Sequence, residues 1–94
     1  MPIVGGWNID GLKGASLPQK AASAFTKFTD GLVGAEYIPL LYIGSQTVNG
    51  TNYCYIALQT IICAQPMKRL VKLILNEDLN GKVTAVSVTR IIKF

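Results

Sequence analysis

The chain predicts an α+β domain in which an extended leading arm precedes one helix, and the helix packs across a four-stranded antiparallel meander. Three observations carry this. Apolar residues recur at spacings of three and four from Leu17 to Leu32, the period changes to two from Glu36 onward, and turn signals at Asn49-Gly50, Gln65-Pro66 and Asn80-Gly81 divide the second part into four runs. Runs of helix then strand, rather than alternation of the two, place the helix on one face of an antiparallel sheet.

The first fourteen residues hold glycines at positions 5, 6, 11 and 14 and show no sustained period, which reads as an extended arm. Ser16 with Gln19 fits a capping box, and Pro18 falls in the first turn, where its missing N–H costs little. Leu17, Ala21, Phe25, Phe28 and Leu32 form the apolar stripe, and Gly31 and Gly34 supply the stop. The strands are expected at Tyr37 to Val48, Thr51 to Ala64, Met67 to Asn76 and Lys82 to Ile92. A two-residue turn at Asn49-Gly50 pairs Val48 with Thr51. That register puts Ile43 opposite Ile56, Leu41 opposite Leu58 and Tyr37 opposite Ile62 on the face expected to seat the helix. The other face pairs Gln46 with Tyr53, Leu40 with Gln59 and Gly44 with Tyr55. Pro39 and Gly44 weaken a ladder, so a bulge or bend is expected beside them.

Residues 1–94 are read as a single domain, half hydrophobic and only 15% charged, enough to bury a core. The net charge is +4, but only Lys68, Arg69 and Lys72 cluster, and no aromatic interleaves with them, so nucleic acid is not an expected partner. The chain has no His, which removes imidazole as base, nucleophile partner and metal ligand. No catalytic residue, metal or cofactor is expected. Cys54 and Cys63 lie in one apolar run; nine residues of strand would hold them roughly 30 Å apart, beyond disulfide reach, so free thiols are expected. Residues 1–10 lack a basic start and a long apolar stretch, and no apolar run is long enough for a bilayer, so a cytoplasmic chain with no membrane contact is expected.

The most informative block is Gln46-Thr47-Val48-Asn49-Gly50, followed by Thr51-Asn52-Tyr53. Asn49-Gly50 by itself signals only a turn, and Asn49-Gly50-Thr51 also fits a glycosylation sequon. Together with Val4-Gly5-Gly6-Trp7, with Ala24-Phe25 and Phe28 on the helix, and with Tyr37-Ile38-Pro39-Leu40, the block resembles the cystatins. These are reversible protein inhibitors of papain-like cysteine proteases. The absence of a secretory start and of a disulfide framework resembles the intracellular, stefin-like branch.

The resemblance implies the cystatin fold and a tight-binding competitive inhibitor of cathepsin-type proteases, without chemistry of its own. In the family a wedge of three pieces enters the protease cleft. Carried over, these are the arm Ile3, Val4, Gly5 and Gly6, the first hairpin tip Gln46, Thr47, Val48, Asn49 and Gly50, and a second tip at Gln65, Pro66 and Met67. The second tip lacks the Pro-Trp pair of many relatives. A monomer is expected, with a domain-swapped dimer through the bend near Gly44 as its alternative state. The alternative function is a non-inhibitory binding module of the same fold that recognises an anionic partner.

Overall fold

The computed structural model describes residues 7–9 and 17–93. Strand β1 (Trp7–Ile9) is followed by helix α1 (Gln19–Thr29) and by strands β2 (Ala35–Val48), β3 (Gly50–Ile61), β4 (Met67–Glu77) and β5 (Val83–Lys93). The strands form one antiparallel sheet in the order β1-β2-β3-β4-β5, so the helix-plus-meander fold is present. Two details differ from expectation. Part of the leading arm is the short strand β1, and β3 stops at Ile61 rather than Ala64, which leaves Cys63 in the turn.

Helix α1 begins one residue later than a first-turn Pro18 would require. Pro18 is its N-cap, with an extended backbone at φ −57° and ψ 149°, and its carbonyl accepts the Ala22 N–H at 2.9 Å. Ser16, the expected cap, lies outside the described residues. The helix ends where glycine permits a left-handed turn, with Gly31 at φ +75° and Gly34 at φ +88°. Leu32, expected in the apolar stripe, stands beyond the helix and is exposed.

Ala21, Ala24 and Phe25 bury against Tyr42, Tyr53, Tyr55, Ala57, Val71, Leu73 and Leu75, with Leu17, Phe28, Tyr37 and Val83 at the margin. The face that receives the helix is therefore not the expected one. The β2–β3 turn is one residue tighter: Val48 pairs with Gly50 and Thr47 with Thr51. A one-residue slip moves every side chain to the opposite face. Tyr53, Tyr55 and Ala57 turn inward, while Ile56 and Leu58, expected beneath the helix, face away from it with their partners Leu41 and Ile38. The expected pairs Gln46–Tyr53 and Gly44–Tyr55 become Gln46–Asn52 and Gly44–Cys54. Irregularities expected beside Pro39 and Gly44 are present, as register shifts between Pro39 and Leu41 and between Tyr42 and Gly44.

Aromatic rings settle which face is covered. Phe25 meets Tyr55 edge-on at 5.1 Å and Phe28 meets Tyr37 at 5.2 Å. The buried Tyr55 hydroxyl donates to the Ala21 carbonyl at 2.7 Å, and the Gln59 amide donates to the Tyr37 hydroxyl at 2.7 Å. A large ring whose polar end finds a partner is a better tenant of a buried face than an aliphatic of smaller area. Tyr55→Phe keeps the ring and removes the tie between helix and sheet. We expect a loss of about 1 kcal/mol in urea unfolding, because water cannot replace the bond at a buried site. A variant as stable as the parent would show that the hydroxyl holds nothing.

Candidate functional site

Consecutive turns of a meander alternate between the two ends of the sheet. The β2–β3 turn at Asn49 and the β4–β5 turn at Asp78 to Lys82 therefore share one end, and the β3–β4 turn around Gln65, Pro66 and Met67 sits at the other. The length of β3 separates them by roughly 35 Å. The expectation that Gln65, Pro66 and Met67 line up with the Asn49 tip is corrected by this topology.

What meets the Asn49 tip is the β4–β5 turn. Gly50 has φ +94°, and a Cβ built there would stand 2.3 Å from the Glu77 carbonyl oxygen and 2.9 Å from the Asp78 Cα. The two turns touch backbone to backbone, an approach that only glycine allows. Asn49 itself needs no positive φ, so the turn is not the two-residue type I′ hairpin expected from the dipeptide.

The second turn is held from inside. The Asp78 carboxylate accepts the backbone N–H of Asn80 at 2.8 Å and of Lys82 at 2.9 Å, and the Gly81 N–H donates to the Asp78 carbonyl at 3.0 Å. An aspartate that bonds forward along its own backbone is the usual means of fixing such a loop. The loop is also tied to the helix, since Lys27 Nζ lies 2.9 Å from Glu77 Oε2 and 3.4 Å from the Gly81 carbonyl. Between these fixed points Leu79 is held out in solvent, 82% exposed. The sequence reading passed over Leu79, although it is the only apolar side chain between Glu77 and Lys82.

Gln46 does not project from the tip. Its Oε1 accepts the Asn52 amide at 3.0 Å, and Asn52 Oδ1 accepts the Asn76 amide at 2.9 Å, a row of amides that crosses β2, β3 and β4 behind the two turns. Thr47, Val48 and Asn49 are exposed. Ile3, Val4, Gly5 and Gly6 lie outside the described residues. Trp7, to which Gly6 is bonded, pairs with Gln46, so the chain passes this same end of the sheet.

The end offers shape and apolar contact. Neither cysteine stands on it: both are free thiols, Cys54 buried on the face away from the helix and Cys63 exposed at the opposite end. Burial pushes the Cys54 thiol above its ordinary range, with Lys72 opposing weakly, which makes it a poor nucleophile. Among the described residues no group of three His, Cys, Asp or Glu side chains could hold a metal. No helix among them is long and apolar enough to cross a membrane. No protein-family model, curated protein or solved structure matches the chain.

Proposed function

We propose that the protein is a cystatin-like, reversible competitive inhibitor of papain-like cysteine proteases, and that its wedge is built from the leading arm, the Asn49 turn and the Leu79 turn. The observation that carries this reading is the contact of Gly50 with Glu77 and Asp78, which locks two exposed turns together at the end where the chain enters at Trp7. A cleft shaped for extended peptide is filled by narrow backbone and apolar side chains. Turns already fixed by their own hydrogen bonds lose little freedom when they dock. Val48 and Leu79, both exposed and apolar, are the side chains offered. The Gln65, Pro66 and Met67 turn has no part in this wedge.

Titration of papain with the full chain, read with a small fluorogenic substrate, tests the proposal: competitive inhibition is expected, and none at any concentration would overturn it. Leu79→Ser should weaken inhibition by about tenfold, the worth of one apolar side chain lost from a modest contact. Pro66→Ala combined with Met67→Ala should leave it unchanged. The reverse pattern would remove Leu79 from the wedge.

A further inference from the structure

We infer that β5 is a self-association edge, pairing antiparallel with β5 of a second copy across a two-fold axis at Val88. The argument does not depend on the inhibitory reading. β5 is the last strand of the sheet, eleven residues long, and one side of its backbone has no strand beside it. An outer strand presents unpaired N–H and C=O groups, and proteins usually blunt it with proline, acids or brevity. The sequence of β5 has no proline, glycine or acid, and it exposes Val86, Val88, Ile91 and Ile92 at 42–57%. At the other side of the sheet, β1 covers only Gly44 to Gln46 of β2, and the remainder of β2 carries Pro39 and two irregularities. That edge is blunted; β5 is not.

The pattern along β5 selects a second copy and fixes its register. Directly opposed residues in an antiparallel pair share a face. Val88, opposite Leu73, and Arg90, opposite Val71, share the helix side; Ser87 and Thr89, opposite Ile74 and Lys72, share the other, where their hydroxyls lie 3.2 Å apart. An axis at Val88 sets Val88 against its own copy, Ser87 against Thr89, and Arg90 against Val86. Every cation then faces an uncharged residue. An axis at Arg90 would oppose two guanidinium groups, which is unfavourable. The extra residues at Val86 and Ile91 relative to β4 confine the regular ladder to the stretch between them. A ladder that short makes a weak, rapidly reversible dimer rather than an obligate one.

Sedimentation velocity of the full chain across a concentration series tests this. A dimer that forms and dissociates with concentration is expected, and Val88→Lys, which sets two ammonium groups together on the axis, should abolish it while the far-ultraviolet circular dichroism stays unchanged. In a Cys63→Ser background, Val88→Cys should cross-link two copies on oxidation, because opposed strand residues lie within disulfide reach, and Thr84→Cys should not. A chain that stays monomeric at its highest soluble concentration overturns the proposal. So does a dimer that survives Val88→Lys.

Discussion

Gly50→Val is expected to cost at least about 3 kcal/mol of folding stability, which would lower the thermal midpoint by more than about 12 °C. Two effects add. At φ +94° a β-branched side chain sits in backbone space it rarely enters, and its Cβ would lie 2.3 Å from the carbonyl oxygen of Glu77 and 2.9 Å from the Cα of Asp78. Both are backbone atoms that cannot rotate away, so the two turns must separate. The control is Gly31→Ala, at φ +75° with nothing within 4 Å of the added Cβ. It pays strain alone, about 1–2 kcal/mol. Urea unfolding of the two variants separates strain from collision, and equal losses would mean that the turns are not in contact. If the wedge is real, Gly50→Val also releases the Leu79 turn from its support, and inhibition of papain should fall more than it does for Leu79→Ser.

Gly50 shows what could be read from sequence and what could not. Four glycines followed by or adjoining polar turn residues, Gly31, Gly34, Gly50 and Gly81, all take positive φ, so the breaks between elements were legible. So was the switch from helical to alternating period, because a helix stripe of Ala21, Phe25 and Phe28 has no counterpart after Glu36. The covered face was not legible. On β3 the inward set Tyr53, Tyr55 and Ala57 and the outward set Cys54, Ile56 and Leu58 are both apolar, so hydrophobic pattern could not break the tie. Parity then rested on whether the turn held one residue or two and on how many bulges β2 carried, neither of which composition fixes.

The pairing of the functional turns was legible in a different way. Once four meandering strands are accepted, the first and third turns must share an end, whatever the loop sequences resemble. The Pro66 turn was matched by family pattern and fell at the wrong pole; Leu79 was reachable by counting turns. The support behind the tips, the amide row from Gln46 through Asn52 to Asn76, depends on the cross-strand register of three strands. It was hidden by the same one-residue ambiguity.

Raising the pH from 10 to 12 is expected to remove about 3 kcal/mol of stability through Tyr55 alone. Burial pushes the Tyr55 phenol far above its ordinary value, reinforced by the neighbouring Tyr42, Tyr53, Glu77 and Cys54, while in the unfolded chain it ionises near pH 10. Above that value the unfolded chain binds fewer protons than the folded one. Stability is therefore complete below pH ~10 and declines as pH rises, by about 1.4 kcal/mol per unit for one such group. Tyr53 acts in the same direction, raised first by burial and then by the Glu77 carboxylate. A domain of this size holds roughly 5–14 kcal/mol in all, so alkaline unfolding should come early and cooperatively. Tyrosinate absorbance and far-ultraviolet circular dichroism, followed together, give the measurement. The Tyr55 signal should appear only as the fold is lost, and Tyr55→Phe should flatten the decline even though it starts from a slightly less stable protein. If all four tyrosines ionised near pH 10 with the sheet intact, the phenol could not be sealed beneath α1, and the assignment of the covered face would fail with it.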